Sequence, residues 1–323
     1  MPENLTDKIK RWARDANAPA DFLRIWEEIE SAAKRFSEYH PTISPASDFM
    51  TRLDQWIDNV MAEEDRQTLF RLVTKLFFVG TLEFNALYSA AFNGPIMRWL
   101  IDTLNLDISN LDQSVINDAI NTTWFCPITD SMSISAFHHV NRITGKEYRP
   151  DWRSLHKFGS RDRILEYMNT NRLNKLVLLE DFIGIGEQSG KVLTYAANVL
   201  RPMNVLIVPL IICPAGYETF TNVARAFNNL SFEPVLLLEE EAFVFKAPQL
   251  HEDNLTVLIR SLVQRLYYLL QDTMNQLNGP FGFGDTGGLI VMYSNCPDNT
   301  LPIIHAKSDA WKPLFPRSSR IWF

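Results

Sequence analysis

The sequence predicts an α/β protein, with a mostly parallel central sheet flanked by helices and an all-helical region before it. Three observations predict this class. After about Asn121, short apolar runs alternate with stretches of helical periodicity, the pattern of βαβ units. The runs LVLL, VLIVPLII and VLLL lack polar positions, as strands buried on both faces of a parallel sheet require. Before Asn121 the apolar residues recur at the 3.6-residue period instead.

The helical part is expected over residues 1–115. From Asp21 to Phe36, residues Phe22, Ile25, Trp26, Ile29, Ala32, Ala33 and Phe36 share one helical face. Leu69, Phe70, Leu72, Val73, Leu76 and Phe77 do the same from Asp65 to Phe78. Asn93-Gly94-Pro95 is expected to stop a helix that begins near Glu83 and to start the next. The aromatics here read as packing residues, and nothing in the segment resembles an active site.

The α/β part is expected over residues 116–323. Predicted strands are Thr122 to Ile128, Leu176 to Leu179, Val205 to Cys213, Phe232 to Leu238 and Gly288 to Tyr293. Predicted helices are Ser133 to Ile143, Ser189 to Leu200, Thr219 to Asn228 and Leu255 to Leu270. Lys146 to Arg163 is polar and reads as a loop, and GPFGFGDTGG from Gly279 to Gly288 reads as a second.

Composition narrows the function classes. A hydrophobic content of 46% over 323 residues supplies a buried core. With 31 Lys plus Arg against 38 Asp plus Glu, the formal charge of −7 argues against broad non-specific binding to nucleic acid. Nucleic acid would then engage only a local patch or a partner. Cys126, Cys213 and Cys296 have neither metal-ligand spacing nor an even count. The N-terminal MPENLTDKIKRWARD has no apolar signal core, and no apolar run approaches the roughly 18 residues of a bilayer span. A cytoplasmic, non-membrane protein is expected.

The segment that carries chemistry is LVLLEDFIGIGEQSGKVL, residues 176–193. An apolar strand leads into adjacent acids, Glu180 and Asp181, followed by the small turn Gly184-Ile185-Gly186-Glu187-Gln188-Ser189 and a helix. Carboxylates at the end of a parallel strand face the ligand crevice and can accept hydrogen bonds from two neighbouring sugar hydroxyls. Glycines let backbone N–H groups approach a phosphate, which the helix N-terminus also favours. Together they suit a 5-phosphoribosyl group. The triphosphate-loop pattern G-x-x-x-x-G-K-[ST] fails, because Gly184 lies one residue too far from Gly190 and Val192 follows Lys191. A dinucleotide-binding turn fails because the strand around Val205 to Leu210 offers no acid. A strand with an acidic end and a glycine turn that binds nothing is the bland alternative.

At these residues the chain resembles the type I phosphoribosyltransferases, whose signature is four apolar residues, two acids, three mostly apolar residues and Thr-Gly-Gly-Thr. Leu176 to Leu179, Glu180, Asp181 and Gly186 match it, while Ile185, Glu187 and Gln188 depart from it. More of the chain is similar to the phosphoribosyltransferases of bacterial conflict systems, the PRTase-CE family. RLDQWIDNV, DRQTLFRLVTKLFFVG, WFCPITDSMSISAFHHVNRI, VLLEDFIGIGEQ, LIVPLIICPAGYE and SNCPDNTLPIIH carry that likeness.

The resemblance implies a phosphoribosyltransferase-like fold and an effector role against phage or mobile elements, with a co-encoded partner such as a reverse transcriptase–nucleic acid complex. It also implies phosphoribosyl pyrophosphate or a nucleotide as ligand, with Mg²⁺. Glu180 and Asp181 would hold the ribose hydroxyls and touch the metal directly or through water, and Gly184 to Ser189 would hold the 5′-phosphate.

The turn Thr129-Asp130-Ser131-Met132-Ser133 is a candidate pyrophosphate site, or else a helix cap through Ser131 or Ser133. Arg153, Lys157, Arg161 and Arg163 read as a mobile lid or as a solvated face. His138 and His139, adjacent on a helix, cannot share a metal and read as packing or surface residues. Asn295 to Asn299, after the last strand, reads as a segment facing the same crevice or as an Asn/Pro turn. Three function classes stay open: a Mg²⁺-dependent transferase or hydrolase, a nucleotide-sensing module without turnover, and a scaffold.

Overall fold

The expected apolar runs form strands, a further strand forms where a helix was expected, and the pairs between the named strands are parallel. The strands are β1 (Phe77–Val79), β2 (Thr123–Pro127), β3 (Lys175–Ile183), β4 (Asn204–Ile212), β5 (Leu230–Phe232), β6 (Leu236–Leu237) and β7 (Ile290–Met292). The molecule is seen in a computed structural model that describes residues 3–16, 18–43, 45, 47–110, 112–144, 151–270 and 279–318. The larger sheet has the order β2-β3-β4-β5, and β6 pairs with β4 beyond the end of β5. Its register runs from Thr123↔Lys175 to Pro127↔Leu179, and from Lys175↔Asn204 to Ile183↔Ile212.

The chain divides into two compact units at other points than 115/116. The first unit joins residues 1–81 to 240–323, and the second holds residues 82–239. The cause lies in β7. Its run of Ile, Val and Met pairs in parallel with β1, in the register Phe78↔Val291, and joins no part of the larger sheet. Helix Asn254–Leu266 packs on helix Glu63–Leu72, and Arg265 grips Asp65 through two 2.8 Å bonds. The core of this unit is aromatic. Phe315 packs on Phe36, Tyr39, Phe49 and Phe78, and the indole N–H groups of Trp56 and Trp311 both donate to the Ile303 carbonyl.

Several local expectations change. The helix expected over Asp65 to Phe78 ends at Leu72, and after a short 3₁₀ turn Phe77 and Phe78 are strand. Leu289 supplies the reason, since its carbonyl takes the Phe77 N–H at 2.9 Å. Asn93-Gly94-Pro95 does not stop a helix. The chain runs from Thr81–Ala91 through a π turn, Phe92–Ile96, into Met97–Thr103, and the wider turn accommodates the proline that lacks an N–H. Phe232 to Leu238 splits into β5 and β6, with Glu233, Pro234 and Val235 between them.

The Lys146 to Arg163 stretch is not a loop where it is described. Residues 146–150 lie outside the described residues, and helices Trp152–Phe158 and Arg161–Thr170 follow. Asp151 and Ser160 cap them by accepting from the Ser154 and Arg163 N–H groups. Trp152 is fully buried against Trp124, which anchors the first of these helices to the second unit's core. Arg153, Lys157, Arg161 and Arg163 therefore stand on helices.

A buried histidine contributes to the pH response of the first unit. Burial, and then the Arg317 charge, push the His305 pKa down to about 4, and its Nε2 lies 3.2 Å from the Thr300 carbonyl oxygen. The folded pKa is below the ordinary 6.5, so between these values the unfolded chain takes up a proton that the folded chain does not. This contribution is complete above pH 6.5 and is lost as the pH falls towards 4, by up to about 3 kcal/mol. Denaturant unfolding between pH 7 and 4.5 should show stability falling with acid, and His305→Gln should flatten that slope.

Candidate functional site

β2 stops at Pro127, opposite Leu179, while β3 runs on to Ile183. Glu180 and Asp181 therefore lie inside a strand that still pairs with β4, through Glu180↔Pro209 and Phe182↔Ile211, and not at its tip as expected. Successive side chains of a strand point to opposite faces. Both acids are nevertheless buried, at 4% and 5% exposure. Charged groups at such depth are costly unless hydrogen-bonded.

The Thr129 turn meets that requirement. It leaves the end of β2 where the Ile128 N–H donates to the Leu179 carbonyl at 2.8 Å. Glu180 then accepts from the Thr129 N–H at 2.9 Å and from its hydroxyl at 2.6 Å. Asp181 accepts from the Ser131 hydroxyl and from the Phe182 N–H, each at 2.9 Å. The two hydroxyl oxygens are 2.7 Å apart.

Two segments singled out separately in the sequence, residues 129–131 and 180–181, thus form one cluster. Ser131 does not cap the following helix, and Ser133, its N-cap, makes no side-chain capping bond. That helix is Ile134–Val140, shorter than expected. Asp130 is exposed in the turn.

Behind the acids, Gly184, Ile185 and Gly186 form the turn, and a helix runs from Glu187 to Val199. It starts two residues earlier than expected, which places Ser189 in its first turn. Gly186 is the N-cap with φ +77°, a left-handed conformation that glycine adopts without strain. It has no side chain to cap the first-turn N–H groups. The side chains of Glu187 and Gln188 lie outside the described residues.

Sequence reasoning missed the residues that shape this turn from the next helix, Pro214–Arg225. A Cβ on Gly216 would collide with the Gly184 carbonyl oxygen and lie 2.8 Å from Ile183 Cγ2. The Thr219 hydroxyl lies 3.0 Å from the Ile185 carbonyl oxygen as a donor to it. Phe220 lies 3.0 Å from where a Gly186 Cβ would be. The one available signal was the small Ala215-Gly216 pair just after a strand end.

Other candidates have structural roles. Arg153 donates its backbone N–H to the Ile128 carbonyl at 3.0 Å, next to the Thr129 turn. The His138 ring packs on Phe125 and Phe137, and His139 is exposed. Asn295 and Asn299 belong to the first unit, where their side chains tie Ser318, Phe283 and Thr286 into a turn. Burial pushes the Cys213 and Cys296 thiols up to about 12, so both stay protonated at neutral pH. No helix among the described residues is long and apolar enough to cross a membrane.

Comparison with known proteins gives one match. The family model PRTase-CE fits residues 53–317, most of the chain and all of the elements above that frame the acid pair. No curated protein and no solved structure matches.

The close approach at Gly216 sets two opposite outcomes. Gly216→Ala should cost about 1–3 kcal/mol in denaturant unfolding, because backbone must move to admit the methyl group. Gly190→Ala, whose methyl would meet Thr219 and Val223 at 3.7 and 3.8 Å, should be neutral or stabilise by about 0.5–1 kcal/mol.

Proposed function

The chain belongs to the PRTase-CE family, and from that premise we propose that it binds a ligand containing ribose 5-phosphate and pyrophosphate, and acts as an effector in bacterial defence against phage or mobile elements. Its second unit is phosphoribosyltransferase-like: a parallel sheet flanked by helices. The observation that carries the ligand reading is the buried Glu180–Asp181 pair, three residues ahead of a glycine turn that opens a 13-residue helix. The carboxylates would take the ribose hydroxyls. The backbone of residues 184–189 would take the 5′-phosphate, with the positive end of the helix dipole behind it. Thr129 to Ser131, bonded to the same acids, would face the pyrophosphate.

Mg²⁺ fits this donor set in one way. Among the described residues no group of three or more His, Cys, Asp or Glu side chains could cage an ion. Magnesium is commonly held by one or two carboxylates together with substrate phosphates, and Glu180 and Asp181 supply that share. The ion would neutralise charge on the departing pyrophosphate. In a transfer reaction, the lone pair of an incoming nitrogen would form a bond to the anomeric carbon as the bond to the pyrophosphate oxygen breaks. The carboxylates would stabilise the positive charge that develops on the ring.

A second reading is a nucleotide-sensing module that acts through a partner, such as a co-encoded reverse transcriptase complex. The turn favours it: Ile185 stands where the signature has a threonine and offers no hydroxyl.

Incubation with phosphoribosyl pyrophosphate, Mg²⁺ and a nucleotide-pool extract, read by mass spectrometry, separates the readings. A transferase releases pyrophosphate, and Asp181→Asn abolishes that release. A sensor binds by calorimetry without turnover, and Asp181→Asn weakens binding at least tenfold, about 1.4 kcal/mol. Absence of both binding and turnover would overturn the proposal.

A further inference from the structure

Each buried carboxylate of the site accepts from a backbone N–H and from a side-chain hydroxyl. Glu180 holds the N–H and the hydroxyl of Thr129, and Asp181 holds the Phe182 N–H and the Ser131 hydroxyl. The N–H groups are fixed by the strand and the turn. The hydroxyls are not, because rotation about one side-chain bond removes either while the backbone bond to the same carboxylate stays. Thr129 and Ser131 are both half-buried, so the rotation has room on the solvent side.

The hydroxyls also touch each other. Three contacts join Glu180 to Thr129, Thr129 to Ser131 and Ser131 to Asp181, at 2.6, 2.7 and 2.9 Å. Each hydroxyl carries one proton, so with both acids ionised two protons serve three oxygen–oxygen contacts. Two hydroxyls side by side, each donating to its own carboxylate, have the arrangement of a vicinal diol on a sugar ring.

We propose that Thr129 and Ser131 are internal stand-ins for a sugar diol, which hold the acid pair until two neighbouring ligand hydroxyls replace them. The inference rests on the ribose 5-phosphate reading above and adds to it a displacement step and a specificity. A ligand with both hydroxyls replaces both stand-ins. A 2-deoxy sugar replaces one and leaves the other carboxylate to the protein or to water. Polar sites built around a hydroxyl reject analogues that lack it far more strongly than apolar pockets reject a missing methylene.

Calorimetry with ribose 5-phosphate and 2-deoxyribose 5-phosphate tests this on the wild-type protein and on the Thr129→Val/Ser131→Ala variant. The wild type should prefer ribose 5-phosphate at least tenfold. The variant should bind it at least threefold more tightly than the wild type, since nothing internal has to be displaced. Weaker or unchanged binding by the variant would overturn the inference and make the hydroxyls positioning groups. Hydrogen exchange on the wild type gives a measure that does not depend on the variant's folding. Ribose 5-phosphate should speed exchange at residues 130–133 while slowing it at 184–190, whereas a positioning role slows both. Binding of neither sugar phosphate by the wild type would remove the ribose-phosphate reading itself, and the inference with it; binding without diol preference removes the inference alone.

Discussion

Two adjacent carboxylates buried inside a strand constrain everything around them. Glu180 and Asp181 stand where a parallel sheet is normally apolar on both faces. An unpartnered charge there would cost several kcal/mol, more than most single contacts return. The local architecture is arranged to avoid that cost. β2 ends one residue short of the acids in register, and a turn rich in donors follows in its place. β3 and β4 continue past the acids and keep their backbone paired. The pair is thereby flanked by strand pairing on one side and by a turn on the other.

The glycine turn depends on a second kind of constraint, close approach. The chain must turn from β3 into a helix within three residues and pass directly over the start of the next helix. Gly216 permits the passage because it has no Cβ, and Gly186 permits the left-handed entry to the helix. Thr219 fixes the remaining freedom at the Ile185 carbonyl. The turn is set as much by Pro214–Arg225 as by its own residues.

The first unit shows the same logic with apolar groups. Its helices bury Trp12, Phe22, Trp56 and Phe70 almost completely, and the C-terminal segment completes the layer with Trp311 and Phe315. The β1–β7 pair joins the segment before residue 82 to the segment after residue 239 through backbone hydrogen bonds. Burial of His305 in this layer couples its packing to pH.

Much of this was legible in the sequence because it is local. The apolar runs placed β2, β3 and β4 to within a few residues, since strands buried on both faces tolerate no polar interruptions over their common length. Glu180 and Asp181 were visible because two acids break such a run, and the helix after Gly186 because glycine and the 3.6-residue period mark its start. The Trp152–Phe158 and Arg161–Thr170 helices were not visible, because their polarity resembles that of a loop and their caps were the only local sign. The sequence by itself determined that β2, β3 and β4 are strands, and that an acid pair and a glycine turn stand in series. Only the tertiary structure decided that Thr129 and Ser131 reach those acids, that Gly216 lies against Gly184, and that β7 pairs with β1. Each of these joins residues far apart in the chain, and spacing along a chain carries no information about which distant donor a buried acceptor will find.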